Sequence, residues 1–198
     1  MLGFFFLFLL LENIAKYDIL LLIIEGNIMI KTKRLILRPM DINDLNDIYE
    51  YSKSPTISQY MYSRRTEDIN QIKNYILNSV HQDDNGNKDI HSLSIVYNEK
   101  VIGEIALLFF EEGIELFWII SESYQQQGFA YEAAVAYIEY IKNNFDISKI
   151  SAHCDTRNVP SKKLMDKLGF NYLGEGERIY PDDREPSMEY SYELIINK

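Results

Sequence analysis

A chain of 198 residues with 46% hydrophobic and 25% charged residues has the length and composition of one globular domain. Its formal net charge of −10 at pH 7 argues against non-specific binding to nucleic acid, because the phosphates would be repelled. The single cysteine excludes an internal disulfide and indicates a reducing, cytoplasmic compartment. With three histidines and no spaced cysteines, the sequence contains no metal-site pattern.

Residues 1–28 differ in composition from the rest of the chain. They contain apolar runs at 2–11 and 19–24, and neither run reaches the ~20 residues that a membrane-spanning helix needs. The stretch that begins at Met29 reads like the ordinary start of a soluble domain. We therefore predict that residues 29–198 form a single domain and that residues 1–28 are an upstream extension, outside the native protein. A membrane-associated anchor is the alternative, and contact with a membrane is expected only in that case.

After this start, segments with strand periodicity alternate with segments of helical periodicity. The predicted strands lie at 33–38, 91–97, 100–110, 114–120, 149–155, 170–173 and 187–196. The predicted helices lie at 42–52, 67–82, 128–144 and 158–167. The three central strands follow one another through short turns, and this arrangement predicts an antiparallel meander. Asp41 is the expected N-cap of the first helix.

The turn between the strand at 114–120 and the helix at 128–144 reads QQQGFA, from Gln125 to Ala130. The start of a helix presents unpaired backbone N–H groups at the positive end of the helix dipole, so it binds anions without a cationic side chain. The small residues Gly128 and Ala130 allow a phosphate to approach the backbone closely. The turn lacks the ending of a P-loop and the three glycines of a dinucleotide fingerprint, and a plain strand-to-helix connection is the alternative. We interpret it as a diphosphate cradle.

Three segments in this order resemble the GCN5-related N-acetyltransferase (GNAT) superfamily, and within it the branch of ribosomal-protein N-terminal and small-amine acetyltransferases. They are TKRLILRP from Thr32, the Gln-x-x-Gly-x-Ala pattern at 125–130, and AHCDTRNVPSKKLMDKLGF at 152–170. The resemblance extends from about Met29 to the C-terminus. It implies an α+β fold in three layers, with a mixed, mostly antiparallel central sheet flanked by helices.

The same resemblance implies acetyl-CoA as co-substrate and no metal. The backbone of the cradle would hold the diphosphate, the edge of the strand at 117–120 would pair with the pantetheine arm, and Asn158 and Ser161 would lie near the arm and its sulfur. The cofactor-binding residues implied in this way are Phe117, Trp118, Ile119, Ile120, Gln125, Gln126, Gln127, Gly128, Phe129, Ala130, Tyr131, Asn158 and Ser161. Because two further glutamines replace basic residues that are frequent in the family, phosphate binding is expected to depend on the helix dipole and on Lys162 or Lys163.

Three side chains are candidates for the chemistry of acyl transfer. Ser161 is the candidate hydrogen-bond donor to the departing thiolate, with a helix-capping role as the alternative. His153 is a candidate base because imidazole titrates in the useful range, although a lone strand histidine is often a structural partner. Glu115 is the other candidate, since it could draw in the ammonium group or order a water molecule. A backbone N–H from 117–119 would hold the oxyanion. Cys154 is expected to face the core.

We therefore predict an enzyme that transfers acetyl from acetyl-CoA to a primary amine, by direct attack in a ternary complex. The acceptor is a protein N-terminus or a small amine, and loops at 54–65 and 174–186 are expected to line its cleft, together with Tyr172 and Tyr180. A non-catalytic acyl-CoA-binding or sensor module on the same fold is the alternative. We expect a monomer or a homodimer.

Overall fold

The computed structural model describes residues 28–61, 68–77, 80–82, 89–110 and 113–196. The predicted N-terminal extension therefore lies outside the described residues, except for Ile28, which is 1% exposed and packs in the main core. Where the native domain begins stays a prediction. None of the helices in these ranges combines the length and the apolar character that crossing a membrane requires.

The described part of the chain has four strands in succession near its middle, with helices before and after them. The strands are β1 Ile30–Lys31, β2 Ile36–Pro39, β3 Val80–Gln82, β4 Asp89–Tyr97, β5 Lys100–Phe110, β6 Gly113–Ile120, β7 Lys149–Asp155, β8 Asn171–Arg178 and β9 Ser187–Ile195. The helices are α1 Leu45–Ser52, α2 Pro55–Ser58, α3 Ile69–Leu77, α4 Phe129–Asn144 and α5 Val159–Leu168. Two 3-10 turns lie at Ile42–Asp44 and Glu122–Tyr124.

The strands form one sheet in the order β1-β2-β4-β5-β6-β7-β9-β8, and β3 also pairs with β4. Every pair is antiparallel except β6 with β7, which run parallel. Helices α4 and α5 pack on one face of the sheet and form the larger hydrophobic core. Helices α1, α2 and α3 cover the other face with a second, smaller core. The predicted α+β fold in three layers is confirmed.

The first predicted helix, 42–52, is present as the 3-10 turn Ile42–Asp44 followed by α1. Its predicted cap is confirmed: the Asp41 carboxylate accepts a hydrogen bond from the N–H of Asn43 at 2.8 Å. In return, the Asp44 carboxylate accepts one from the N–H of Asp41 at 2.9 Å. This reciprocal capping box satisfies N–H groups that the helix itself leaves unpaired.

The second predicted helix, 67–82, is wrong in its last part. Helix α3 ends at Leu77, and Val80–Gln82 forms strand β3, in which Val80 pairs with His91 of β4. A short apolar run fits helical and strand periodicity equally well, and here pairing with an existing strand decides the outcome. Pairing cannot be read from the local sequence.

The polar connection predicted over 174–186 is also too long. Residues 174–178 belong to β8 and pair with β9. The register shifts between Tyr172 and Gly174, and Gly174 has a φ of +150°, which only glycine adopts readily. Exposed polar residues along this edge strand hide its periodicity from a sequence-based prediction.

At Gly103, strand β5 has no room for a side chain beside β6. A Cβ atom added there would lie 2.1 Å from the carbonyl oxygen of Ile119. Gly103→Ala must therefore push the two strands apart, and we expect it to lower the free energy of unfolding by about 2–3 kcal/mol, as overpacking does. Urea denaturation measures the change. Gly176→Ala is the matched control, because nothing lies within 4 Å of its added Cβ. Equal, small losses from both substitutions would contradict the prediction.

Candidate active site

The loop between β6 and α4 has the backbone geometry of an anion cradle. Gln126 and Gly128 both adopt left-handed conformations, with φ of +60° and +81°. Gly128 is the N-cap of α4 and its carbonyl accepts the first intrahelical bond, from Glu132 at 3.0 Å. The N–H groups of residues 129–131 precede this bond, so helix geometry leaves them without a partner inside α4. Because Gln125–Gly128 are exposed, these groups lie at an accessible helix start.

Side chains of the loop fix its shape. The amide nitrogen of Gln125 donates to the carbonyl of Ile120 at 2.9 Å, and that of Gln127 donates to the carbonyl of Ser123 at 3.0 Å. These two glutamines therefore use their amide nitrogens to hold the turn. The backbone is left as the principal anion-binding surface.

Arg34 lies against the cradle, although no sequence pattern indicated a role for it. Its Nε donates to the Glu132 carboxylate at 2.6 Å, and its Nη1 donates to the carbonyl of Gln127 at 3.1 Å. The guanidinium stacks over the ring of Phe129, with Cζ at 4.2 Å from the centroid. Its partners lie 93 and 98 positions further along the chain, so no local signal identifies the contact.

Lys162, one of the two cations expected at the phosphate, forms a different contact. Its Nζ lies 3.0 Å from the carboxylate of Asp166, one turn along α5. That bond to Asp166 raises the pKa of Lys162 above its ordinary value. Arg34, by contrast, does contact the cradle.

Backbone pairing between β6 and β7 does not continue beyond their first residues. The register pair Glu115↔Ser151 is the one that joins the two strands in the described part of the chain. The Ser151 hydroxyl reinforces it by donating to the carbonyl of Ile114 at 2.9 Å. Further along, β7 pairs on its other side with β9 as far as Asp155. The edge of β6 at 117–120, which leads to the cradle, is consequently not paired with β7. This unpaired stretch is called the gap between β6 and β7 below.

The backbone of Trp118 points into this gap. The carbonyls of Ile114 and Ile120 accept hydrogen bonds from Ser151 and from the side chain of Gln125, so both point away from β5. Backbone orientation repeats every second residue along a strand, and Trp118 lies in the same register. Its N–H and C=O are therefore directed to the open edge of β6.

The two candidate bases form a pair. His153 Nδ1 lies 3.2 Å from the Glu115 carboxylate, and their side chains are 25% and 18% exposed. The hydrogen bond that the protonated His153 donates to the Glu115 carboxylate is the main cause that raises the pKa of His153 above its ordinary value, while burial works against it. The charge of Glu189 adds to the increase and that of Arg178 opposes it. The sequence indicated His153 and Glu115 as alternatives, whereas the structure brings them together.

Ser161 and Asn158 begin helix α5. The side-chain oxygen of Asn158 caps the helix by accepting from the N–H of Ser161 at 3.2 Å, so the cap is Asn158 rather than the Ser161 hydroxyl. That hydroxyl lies near the thiol of Cys154. Cys154 is 4% exposed, which confirms that it faces the core, and burial raises the pKa of its thiol to about 11. A buried thiol with a raised pKa is a poor nucleophile.

The two expected acceptor loops contact one another. Arg178 donates to the carbonyl of Tyr60 at 3.0 Å, and Arg184 donates to the carbonyl of Met61 at 2.8 Å. Residues 62–65, the remainder of the first loop, lie outside the described residues. Tyr180, expected in the cleft, is 7% exposed and donates its hydroxyl to a buried aspartate at 3.0 Å, so it holds the second loop in place.

Tyr172, the other tyrosine expected at the cleft, is 53% exposed on the edge strand β8, and its ring contacts those of Tyr190 and Tyr192. Among the residues that the structure describes, no group of three or more His, Cys, Asp or Glu side chains is arranged to hold a metal ion.

Comparison with known proteins decides the family. The sequence model of the acetyltransferase (GNAT) domain matches residues 34–171. The chain belongs to the GNAT acetyltransferase family. The resemblance seen in the sequence is thereby confirmed, and the chain is an acyl-CoA-dependent N-acetyltransferase. Family membership does not favour the alternative of a non-catalytic binding module.

Individual relatives agree with this assignment. The protein named uncharacterized N-acetyltransferase YnaD, of Bacillus subtilis (strain 168), is 28% identical over 170 residues, which cover 84% of this GNAT chain and 96% of that protein. A GNAT-family acetyltransferase from Bacillus anthracis has a similar structure, with a TM-score of 0.73, 22% identity, and coverage of 86% of this chain and 100% of the other.

A third structural relative was solved with coenzyme A. It is RimL, described as a ribosomal L7/L12 alpha-N-protein acetyltransferase in complex with coenzyme A, with a TM-score of 0.72, 15% identity, and coverage of 85% of this chain and 98% of the other. At these identities the two solved structures establish the shared GNAT fold alone.

Proposed function

We propose that this enzyme transfers the acetyl group of acetyl-CoA to a primary amine, by direct attack in a ternary complex. The observation that carries the proposal is the gap between β6 and β7, which has the His153–Glu115 pair at one end and the cradle at the other. The five residue steps from Glu115 to Ile120 span about 17 Å of strand, a path along which the extended pantetheine arm fits. Acetyl-CoA, bound along this path, supplies the thioester carbonyl as acyl donor.

The donor is bound mainly by backbone groups. The N–H groups at the start of α4 bind the diphosphate, because the helix dipole favours negative charge there and Gly128 leaves the approach open. The backbone N–H and C=O of Trp118, on the open edge of β6, form hydrogen bonds with the pantetheine arm, and the N–H also serves the thioester oxygen. A backbone N–H held in a regular strand is preorganised, so it stabilises developing negative charge without rearrangement.

The His153–Glu115 pair takes the proton from the acceptor. Neutral His153 accepts it, and the carboxylate of Glu115 orients the ring and stabilises the imidazolium that results. The gap between β6 and β7 connects this pair with the path of the donor. Direct attack requires this arrangement, because amine, base and thioester must meet at one point.

Ser161 donates a hydrogen bond to the departing sulfur. Its hydroxyl lies at the start of α5, near the thiol of Cys154. A hydrogen bond to a charged group contributes about 1.5–3 kcal/mol. Ser161→Ala is therefore expected to lower kcat by roughly ten- to a hundredfold, with little change in the Kd of CoA.

The Ser161→Ala prediction is checked by steady-state kinetics, calorimetry and thermal melting. Ser148→Ala, at an exposed serine before β7, is the matched control and should behave like the wild type. If Ser161→Ala kept its kcat and lost only thermal stability, the hydroxyl would be a structural partner of Cys154 and not a donor to the sulfur.

The acceptor is a protein N-terminus or a small amine. RimL is described as an acetyltransferase of ribosomal L7/L12, and MccE, another structural relative, as a microcin C7 self-immunity acetyltransferase in complex with acetyl-CoA and AMP. The first description names a protein acceptor, and the second names acetyl-CoA as a ligand. The cytoplasmic location and the monomeric or homodimeric state stay predictions.

The test measures thiol release and binding together on the full chain. Free thiol is followed after acetyl-CoA is mixed with a panel of primary amines and N-terminal peptides, and calorimetry measures acetyl-CoA binding in parallel. Release with one acceptor class supports the proposal and identifies the substrate. Tight binding without release across the panel would favour the sensor module instead. Absence of binding would contradict the donor assignment.

A further inference from the structure

We propose that Arg34 is a positioning residue, which locks the peptide group between Gln127 and Gly128 so that the cradle presents its N–H groups to the diphosphate. The inference rests on the proposed function, because it assigns a role in binding the CoA diphosphate. It concerns a residue that belongs to the turn between β1 and β2 and lies outside the cradle sequence.

Arg34 is held in place by the carboxylate of Glu132. The Glu132 carboxylate accepts from the Thr32 hydroxyl at 2.6 Å, from the backbone N–H of Arg34 at 2.9 Å and from Arg34 Nε at 2.6 Å. Burial acts to raise the pKa of Glu132, but these hydrogen bonds from Thr32 and Arg34 outweigh it and lower the pKa. The carboxylate therefore stays charged and anchors the turn between β1 and β2 to the first turn of α4.

The guanidinium of Arg34 is fixed by contacts on two sides. It stacks on Phe129 at 4.2 Å, and Phe129 is 2% exposed and packed against Tyr97 and Tyr124. With Nε bound to Glu132, this leaves Nη1 pointing at the carbonyl of Gln127, 3.1 Å away. The position of Nη1 is thus determined by groups that belong to the folded core.

The bond from Arg34 sets the orientation of the peptide group between Gln127 and Gly128. In a trans peptide the carbonyl oxygen and the following N–H point in opposite directions. Because Arg34 holds the oxygen of Gln127, the N–H of Gly128 points away from the guanidinium. Glycine tolerates both orientations of this peptide at similar cost, so Gly128 by itself leaves the peptide free to flip. Arg34 removes that freedom before the ligand arrives.

Arg34 also compensates the negative charge of Glu132. Glu132 lies in the first turn of α4, close to where the diphosphate is proposed to bind, and an uncompensated carboxylate there would repel it. Arg34 neutralises Glu132 and orders the peptide with the same side chain. A lysine at position 34 would keep the positive charge. It could not, however, donate hydrogen bonds to the Glu132 carboxylate and the Gln127 carbonyl with the fixed geometry of a planar guanidinium.

The experiment compares two acetyl donors in the full-length enzyme. Arg34→Met and Arg34→Lys are tested with acetyl-CoA and with S-acetylpantetheine, which lacks the diphosphate. We expect both variants to raise the KM for acetyl-CoA and the Kd of CoA by at least about tenfold, as loss of a charge-assisted hydrogen bond does. We expect kcat at saturating acetyl-CoA, and kcat/KM for S-acetylpantetheine, to stay within about twofold of the wild type.

Lys142→Met is the matched control, because it removes one positive charge from an ion pair at the other end of α4. It should leave both donors unaffected. If Arg34→Met fails to fold by thermal melting, Arg34→Lys, which keeps an ion pair with Glu132, provides the measurement. Full wild-type affinity in Arg34→Lys would overturn the peptide lock, since charge alone would then suffice.

Equal losses with both donors would also overturn the inference, because the effect would not depend on the diphosphate. Failure of the proposed function has a different signature. In that case the wild type itself would release no thiol from acetyl-CoA or from S-acetylpantetheine with any acceptor, whatever residue occupies position 34.

Discussion

Gly128→Asp is expected to abolish CoA binding, with a loss of affinity of more than about a hundredfold, while the domain stays folded. Aspartate tolerates the left-handed conformation of Gly128 better than most residues, so folding should survive. Its carboxylate, however, would stand at the N-cap of α4, where it repels the diphosphate and competes for the same N–H groups. Isothermal titration calorimetry with CoA measures the effect.

Gly128→Asn is the matched control for this substitution. Asparagine has nearly the same size and also tolerates the left-handed conformation, but it carries no charge. Its Cβ would meet only Arg34 Nη2, at an ordinary contact distance of 3.6 Å. We therefore expect a clearly smaller loss of affinity than for Gly128→Asp. Wild-type affinity in Gly128→Asp would show that the cradle does not bind the diphosphate.

Local sequence was sufficient to predict most of the helices and strands, including the turn that joins β6 to α4. The start of α4 could be located because a strand pattern, Gly128 and a helical apolar face follow one another within a few residues. The cap at Asp41 and the buried side of Cys154 depend on equally local patterns. These predictions needed no knowledge of which strands become neighbours.

The rest of the site depends on contacts between distant segments. His153 and Glu115 were each indicated as a base, but their pairing arises only because β6 and β7 run parallel and side by side. Arg34 was missed because its partners lie far along the chain. Strand β3 was predicted as helix for the same reason, since its partner β4 is not visible in the local pattern.

The second large effect is a loss of kcat on substitution of the His153–Glu115 pair. His153→Ala is expected to lower kcat by roughly a hundredfold or more, the contribution typical of a general base. Glu115→Gln keeps a hydrogen-bond acceptor near the ring but removes the charge, so it should cost less than His153→Ala. If Glu115 were itself the base, the order would be reversed and Glu115→Gln would be inactive at every pH.

The pH profile separates these roles, because only neutral His153 can accept a proton. Glu115 raises the pKa of His153, so in the wild type kcat/KM rises with pH at values above the ordinary range of histidine. Glu115→Gln lowers that pKa, and the ascending limb should move to lower pH. Any limb of the profile that reflects the pKa of the acceptor amine stays at the same pH in both proteins.

Proton NMR follows the titration of the imidazole directly. The chain has three histidines, and His153→Ala identifies the signal of His153. A titration of His153 that is the same in wild type and Glu115→Gln would show that the pair does not act as a unit.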